Sequence, residues 1–416
     1  MNLGAISVAA LATAIAVSCF SRLNVGLLAI ALSWIIGVHL GGMPVKELVA
    51  GFPVELFLTL AGVTLLFSQA QVNGTLDRLA HQAVRLCRGR TGVVPIFFFF
   101  AGAVLASMGP GNIATAGLLA PMAMNTALRM GISPFLMAIM VGNGANSGSL
   151  SPIAPTGLIV GSLMAKIGLG GMEVRTWLYN LLAHALVAFA GYLLFGGWKL
   201  LAHGKRIDAV EANAEPLLGG LERRHWMTLA MIAALVLGVI FLKLHIGMAA
   251  FAAAVVLSLL GAADDAQAIR SMPWATILMV CGVTVLISLM EKTNGLELFT
   301  DLLARTSTRA TLVPVLAAIT GLISAYSSTS GVVLPALLPT VPGLIARLGG
   351  GDMMAIASTM NVAGHLVDVS PLSTIGALCV ASIPAGETSR KLFHQLLAWG
   401  LSMTLVGAAI CYALFG

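Results

Sequence analysis

Small polar residues and helix breakers cluster at four points within otherwise apolar stretches of the sequence. Two clusters lie in the first half, at Gly109-Pro110-Gly111-Asn112 and over residues 142–155, and two lie in the second half, over residues 327–330 and 361–373. At membrane depth, non-helical backbone is tolerated only where it lines a cavity or is buried in protein. The four clusters therefore predict broken helices around one shared site.

Such breaks suit the binding of anions and of hard cations. A helix that begins at a break directs free N–H groups and the positive end of its dipole at the cavity, which favours a carboxylate or another anion. The oxygen atoms of Asn, Ser and Thr side chains and of unwound carbonyls favour Na⁺. A cofactor is not expected, and Na⁺ is the expected coupling ion, with H⁺ as the alternative.

The clusters supply two overlapping sets of candidate ligands. The predicted substrate ligands are Gly111, Asn112, Thr115, Ser149, Ser151, Pro152, Ser327, Ser328, Thr329, Ser370 and Pro371. The predicted cation ligands are Asn112, Asn143, Asn146, Ser147, Thr156, Ser328, Asn361, Asp368 and Thr374. For any single Ser or Thr the alternative is a purely structural role, because such residues also join membrane helices or bond back to their own carbonyls.

Asp368 is the only acid in the apolar stretch of residues 353–386. An intramembrane carboxylate is a functional candidate by default. His365 lies three residues earlier, on the same helical face if the helix continues. Three roles for Asp368 stay open: a cation ligand, a proton carrier, or a structural partner that fixes the tautomer of His365.

The composition is that of a membrane protein. Of the 416 residues, 58% are hydrophobic and 9% are charged, whereas about a quarter are charged in soluble domains. The five cysteines have no paired or metal-ligand spacing, so the sequence predicts neither a disulfide framework nor a zinc site. The first apolar run lacks a basic leader and a cleavage site and is predicted to be a retained helix. The basic residues lie in turns without interleaved aromatics, which argues against nucleic acid as a partner.

Uninterrupted apolar runs predict eight plain helices and leave four interrupted segments. The plain helices are predicted at residues 3–21, 24–42, 52–71, 176–198, 226–242, 245–261, 272–290 and 393–415. Hairpins are predicted where 92–109 meets 112–128 and where 311–326 meets 328–347, and broken helices over 133–167 and 353–386.

The two halves of the chain are related by an internal duplication. Gly62-Val63-Thr64 matches Gly282-Val283-Thr284 at an offset of 220 (282 minus 62), and Ser151-Pro152 matches Ser370-Pro371. An odd number of crossings per half inverts the second half. The predicted fold is an all-α integral membrane protein with two inverted repeats, each of five transmembrane helices plus a re-entrant helical hairpin and a broken helix.

The duplication also gives a topology, with a cytoplasmic linker between the halves predicted at 199–225. The protein is predicted to span the cell (inner) membrane. Placing the basic 72–91 connection in the cytoplasm puts most Lys and Arg residues on the cytoplasmic side and both termini on the outer side. Residues 75–90 are predicted to form an amphipathic helix on the membrane surface.

Two motifs resemble a known group of carriers. Gly111-Asn112-Ile113-Ala114-Thr115-Ala116-Gly117, ending at Pro121, resembles the S-N-T hairpin tip of the ion transporter superfamily, which includes the divalent-anion sodium symporters. The run from Gly142-Asn143 to Ser151-Pro152 more closely resembles the N-terminal region of the malonate and dicarboxylate carriers called MatC. This resemblance implies sodium-coupled carboxylate uptake by an elevator mechanism on a dimeric scaffold. It further implies scaffold helices at 1–91 and 226–310 and transport-domain segments at 92–198 and 311–416.

The motifs depart from the superfamily pattern at three places. Gly111 stands where the pattern has Ser, and Ile113 stands where it has Thr. The second hairpin, aligned on Pro335, has Ala325-Tyr326-Ser327 in place of S-N-T. The asparagine expected at a second sodium site is therefore absent.

The sequence thus predicts a homodimeric secondary transporter of a small di- or tricarboxylate, with a C4-dicarboxylate or malonate favoured. An inorganic-anion carrier and a sodium/proton antiporter are alternatives within transport. An intramembrane hydrolase is disfavoured, because neither an H-E-x-x-H nor a G-x-S-x-G motif is present. Paired breaks in both halves favour alternating access over a channel.

Overall fold

The chain is helical throughout the part that the structure describes. The computed structural model describes residues 2–21, 23–79, 91–203 and 220–416, and these ranges contain helices and no β-strands. Residues 80–90 of the predicted surface helix, residues 204–219 of the predicted linker and Arg22 lie outside the described residues.

Seven helices of the described ranges are long and apolar enough to cross a membrane: Leu3–Phe20, Val54–Val72, Glu173–Leu194, Trp274–Lys292, Thr329–Leu348, Met353–Ala381 and Glu387–Phe415. Shorter apolar helices are Val25–Leu40, Val93–Ser107, Ile246–Leu259 and Leu312–Ser324. The other helices are Val45–Val49, Gly111–Met130, Pro134–Ser147, Pro155–Lys166, Gly197–His203, Arg223–Leu242, Asp265–Ser271 and Gly295–Ala304. The chain is an integral multi-pass membrane protein, and each of the eight predicted plain spans overlaps one of these helices.

The interrupted segments form two hairpins and two broken helices. Hairpin 1 joins helices Val93–Ser107 and Gly111–Met130 through residues 108–110, and hairpin 2 joins helices Leu312–Ser324 and Thr329–Leu348 through residues 325–328. Break 1, residues 148–154, separates helix Pro134–Ser147 from helix Pro155–Lys166. Break 2, residues 367–373, separates helix Met353–Leu366 from helix Thr374–Ala381 and contains the 3₁₀ turn Val367–Val369.

The predicted extent of both breaks was wrong at the N-terminal side. The helix before break 1 continues from the predicted start at Gly142 to Ser147. The helix before break 2 continues from the predicted start at Asn361 to Leu366. The reason is that the polar side chains there find partners without unwinding the backbone. Asn361 donates to the Met164 sulfur at 3.5 Å, and His365 donates to the Asn361 carbonyl one turn back at 2.7 Å. Helix Pro134–Ser147 likewise carries Asn143 and Asn146 within its last two turns.

Buried apolar residues form separate cores in different parts of the chain. One core draws its buried members from residues 94–192 and 317–411. Two others lie mainly within residues 10–48 with 283–290 and within residues 63–76 with 232–262. A fourth core packs hairpin 2 and the helix after break 1 against residues 56–61 and 272–281. Hairpin 2 and the helix after break 1 therefore contact helices Val54–Val72 and Trp274–Lys292 through buried apolar side chains.

Glycines bring two pairs of helices into backbone contact. A Cβ atom on Gly282 would lie 2.1 Å from the Gly26 carbonyl oxygen, and one on Gly62 would lie 2.2 Å from the Gly247 carbonyl oxygen. Only glycine permits such an approach, because any side chain would overlap the facing backbone. Gly26 and Gly62 lie in the first half of the chain, and Gly247 and Gly282 lie in the second. Each half therefore supplies one member to each crossing.

Candidate functional site

A cavity of about 740 Å³ lies where the hairpins and breaks meet. Its wall includes the tip of hairpin 1, the start of helix Pro155–Lys166, the tip of hairpin 2 and part of break 2. The opposite wall comes from helices of the predicted scaffold and includes Ser18, Asn24, Thr64, Gln71 and Thr276. The four clusters identified in the sequence thus border one space.

Four helices begin at the cavity wall. Gly111, Pro155, Thr329 and Thr374 are the first residues of helices Gly111–Met130, Pro155–Lys166, Thr329–Leu348 and Thr374–Ala381, and all four line the cavity. The first turn of a helix has N–H groups without intrahelical acceptors, and its dipole places a partial positive charge there. The wall therefore attracts anions through its backbone.

The tip of hairpin 1 is fixed by a side-chain pair and two glycines. The amide of Asn112 donates to the buried Asn146 Oδ1 at 2.8 Å, which joins the tip to the helix before break 1. Gly109 has a φ of +128°, and a Cβ atom there would lie 1.9 Å from the Phe67 ring. Gly111 has a φ of +80° and packs beside Pro155. Both positions require glycine because L side chains rarely adopt these backbone angles.

Asp368 and His365 lie on the side of the cavity formed by break 2. The hydroxyl of Thr329, at hairpin 2, donates to Asp368 Oδ1 at 3.0 Å, and the Ser373 hydroxyl bonds to the same carboxylate. The His365 Nδ1 lies 2.7 Å from the Asn361 carbonyl oxygen, which can only accept, so Nδ1 carries the proton. The backbone, and not Asp368, therefore sets the tautomer of His365.

The predicted site residues fall into two groups in the structure. Those in the cavity wall are Gly111, Asn112, Thr156, Ser327, Ser328, Thr329, Asp368 and Thr374. Those behind the wall are Thr115, Asn143, Asn146, Ser147, Ser149, Ser151, Pro152, Asn361, Ser370 and Pro371.

Several residues of the second group bond to nearby backbone carbonyls. Ser147 donates to the Gly144 carbonyl and Ser149 to the Asn146 carbonyl, each at 2.7 Å. Asn143 donates to the Ile139 carbonyl at 2.8 Å. Ser147 and Ser149 thus form the bonds to nearby carbonyls that were the structural alternative for single Ser and Thr residues, and Asn143 forms a similar bond.

The structure adds polar residues that sequence reasoning missed. The Ser18 hydroxyl lies 2.7 Å from the Ser327 hydroxyl at hairpin 2. Behind the wall, Asn180 donates to the Asn146 carbonyl and His184 donates to the Asn143 side-chain oxygen, both at 2.8 Å. Ser18, Asn180 and His184 stand within plain apolar spans without a neighbouring helix breaker. A single polar residue in such a span was the only available signal.

Comparison with known proteins shows that part of the chain is similar in sequence to a carrier family. Residues 1–149 match the family model of the dicarboxylate carrier protein MatC N-terminus. The matched region ends at break 1 and contains hairpin 1, so the resemblance to MatC is confirmed over the first 149 residues. No curated protein matches the chain in sequence.

A solved structure shares the fold over nearly the whole length. The Alcanivorax borkumensis YdaH transporter, described as having an unusual topology, is similar with a TM-score of 0.57 and 13% identity. The alignment covers 93% of this chain and 96% of that one. The carrier-family match and the shared fold both agree with the prediction of a membrane transporter rather than an enzyme.

Proposed function

We propose that the chain is a secondary active transporter of a small di- or tricarboxylate, with a C4-dicarboxylate or malonate favoured. The observation that carries this proposal is the convergence of four helix N-termini on one cavity. With about half an elementary charge at each N-terminus, the four together supply roughly +2, which complements two carboxylates. The MatC family match supports a dicarboxylate as the substrate.

The size and lining of the cavity agree with such a substrate. A volume of about 740 Å³ lies within the range of small-molecule sites and leaves room for a small dicarboxylate with some water. Hydroxyl groups from Ser327, Ser328 and Thr374 line the wall beside the N-termini. These groups can donate to carboxylate oxygens while their own helices stay intact.

Na⁺ is the proposed coupling ion, bound by neutral oxygens near hairpin 1. Asn112 and Thr156 stand in the wall there, beside the carbonyls of break 1. Proton coupling is the second candidate, because Asp368 also lines the cavity. Bound cation would assemble the site before the substrate arrives.

Alternating access is proposed to follow an elevator mechanism with inverted repeats. Segments 92–198 and 311–416 would move as the transport domain, with the two hairpins re-entrant from opposite sides of the membrane. Segments 1–91 and 226–310 would form the scaffold of a homodimer, and the glycine crossings would hold that scaffold rigid. The chain would lie in the inner membrane with both termini outside and the 72–91 connection in the cytoplasm.

Reconstituted transport tests the proposal directly. Proteoliposomes are assayed with labelled succinate, malate, malonate, citrate, sulfate and phosphate under separate Na⁺ and H⁺ gradients. We expect an inward Na⁺ gradient to drive accumulation of a dicarboxylate, and the same dicarboxylate to raise thermal stability only when Na⁺ is present. Accumulation of sulfate or phosphate alone would establish an inorganic-anion carrier instead, and the carboxylate proposal would be abandoned.

A further inference from the structure

His365 presents an unpaired hydrogen-bond acceptor to the cavity. Its side chain is only 1% exposed and lines the cavity wall. Because Nδ1 donates to the Asn361 carbonyl, the neutral ring carries a lone pair on Nε2. Among the described residues, none bonds to this nitrogen. Nε2 faces the open cavity, so its hydrogen-bond donor has to come from the contents of the cavity, either water or a bound molecule.

The equivalent position in the first half has a partner that the second half lacks. His365 corresponds to Asn146, at the same offset of 219 (365 minus 146) as Ser370 to Ser151 (370 minus 151). Asn146 Oδ1 accepts from Asn112 at the tip of hairpin 1. The hairpin 2 residue in the place of Asn112 is Tyr326 (326 minus 112 is 214, as is 335 minus 121), whose side chain is 43% exposed and has no bond to His365.

When a substrate displaces water from this part of the cavity, the partner of His365 has to come from the bound molecule. Na⁺ is a poor partner, because hard cations select oxygen ligands over imidazole nitrogen. Asp368 bonds to the hydroxyls of Thr329 and Ser373 and not to His365, so these two hydroxyls are engaged as well. A substrate hydroxyl supplies an O–H donor for Nε2 and leaves both substrate carboxylates for the helix N-termini.

We infer that His365 is a specificity-determining residue that accepts a hydrogen bond from a hydroxyl group of the substrate. The carrier accordingly prefers hydroxy-substituted dicarboxylates, such as malate or hydroxymalonate, over the unsubstituted acids. This inference rests on the proposed function, since it takes carboxylate transport as given. Unsubstituted acids leave the acceptor unpaired in the complex, and a site built to bond a hydroxyl discriminates against ligands that lack one.

Matched pairs of substrates test the preference in the wild-type protein. Malate is compared with succinate, and hydroxymalonate with malonate, as competitors of labelled dicarboxylate uptake in proteoliposomes. We expect the hydroxylated member of each pair to compete about tenfold better. 2-Methoxysuccinate keeps the substituent oxygen but lacks its proton, and we expect it to compete no better than succinate.

Substitutions of His365 then assign the preference to this residue. His365→Leu removes the acceptor and is expected to bring the malate-to-succinate ratio to parity. His365→Gln retains an acceptor oxygen and is expected to keep part of the preference. His184→Gln is the matched control: His184 is equally buried but lies outside the cavity wall, so we expect the ratio to stay at the wild-type value whatever the change in rate.

The outcomes separate this inference from the function on which it rests. Equal competition by malate and succinate in the wild-type protein, with both transported, overturns the inference and leaves the dicarboxylate carrier standing. A preference for malate that survives in a folded His365→Leu protein removes His365 from substrate recognition. The absence of transport for every carboxylate in the panel rejects the proposed function itself. Thermal unfolding of each variant, measured in the same detergent, shows whether the protein is folded.

Discussion

At the scale of single residues, Asn112 holds the tip of hairpin 1 against the helix before break 1. Its amide donates to Asn146 Oδ1 at 2.8 Å, and both side chains are buried. Without this donor, the Asn146 oxygen would remain in a water-poor interior without its partner. A buried acceptor left unpaired costs about 1–3 kcal/mol. The bond therefore determines where the first N–H groups of helix Gly111–Met130 lie relative to the cavity.

Asn112→Ala is expected to weaken substrate affinity by roughly 5- to 150-fold, which corresponds to that loss of about 1–3 kcal/mol. The measurement is concentration-dependent uptake into proteoliposomes, with expression and oligomeric state checked by size-exclusion chromatography. Asn125→Ala is the control, because Asn125 lies on the same helix and only accepts from Arg129 at an exposed position. Undiminished affinity in Asn112→Ala would remove the tip of hairpin 1 from substrate binding.

The sequence could identify these polar residues but not the directions of their side chains. Asn112, Asn143, Asn146 and Ser147 were all recognisable as polar groups in apolar surroundings. Which of them faces the cavity depends on where the helix before break 1 ends, and it ends only at Ser147. A side chain on a helix that continues is directed by the helical period, whereas one in a loop is free to turn toward a ligand.

At the scale of secondary-structure elements, two equivalent glycines let the second half of each broken helix approach its break. A Cβ atom on Gly157 would lie 1.9 Å from the Ser151 carbonyl oxygen, and one on Gly376 would lie 2.2 Å from the Ser370 carbonyl oxygen. These distances are too short for any side chain to be accommodated without moving backbone. The start of each half-helix, which lines the cavity, is thus positioned by one glycine a short way along it.

Gly157→Ala and Gly376→Ala are each expected to reduce transport strongly, because the half-helix must shift away from its break and carry its N-terminus out of position. Uptake and thermal unfolding are measured together, and a lowered melting temperature is expected for both. Gly161→Ala provides the control, since its Cβ atom would meet only the flexible Glu173 side chain at 3.3 Å. Wild-type transport in Gly157→Ala and Gly376→Ala would show that the half-helix N-termini need no precise placement.

Element boundaries were predictable where consecutive helix breakers mark them and less so where polar residues and single glycines did. Gly109 and Pro110 mark the turn of hairpin 1 by their residue types, and the break lies at residues 108–110. Breaks 1 and 2 were each placed six residues too early, because the helices continue through Gly142 and Asn361. An amide on a buried helix can be satisfied by a neighbouring helix, and sequence contains no record of that neighbour.

At the scale of the whole molecule, one hydrogen bond connects the first helix to hairpin 2 across 309 positions of sequence. The Ser18 and Ser327 hydroxyls lie 2.7 Å apart, and both residues line the cavity. In the proposed mechanism Ser18 belongs to the scaffold and Ser327 to the transport domain. If the transport domain slides, this contact exists in one access state only.

A disulfide at this position is expected to stop transport reversibly. Ser18→Cys combined with Ser327→Cys, in a background without the native cysteines, places two thiols at a separation that a disulfide can bridge with little movement. Oxidation should abolish uptake and reduction should restore it, while each single variant remains active under both conditions. A disulfide that forms completely while transport continues would mean that the two serines move together, contrary to the elevator proposal.

The sequence matches predicted a duplication, but they could not predict the contacts between the two halves. Gly62 and Gly282 could be matched as equivalent residues, whereas their partners Gly247 and Gly26 follow from the three-dimensional crossing of the helices. Sequence comparison pairs residues at equivalent positions of the two halves. It does not pair residues that are in contact, which is why Ser18 was not predicted.

The convergence of four helix N-termini has a consequence for how such a carrier evolves. Main-chain N–H groups are present whatever the side chains, so point mutations cannot delete most of the attraction for an anion. Substitutions around the cavity would then alter which anion is selected while leaving a working anion site in place. New substrate preferences could accumulate without an inactive intermediate. Drift in specificity within this fold is accordingly expected to be frequent, and loss of anion binding to require damage to the helices themselves.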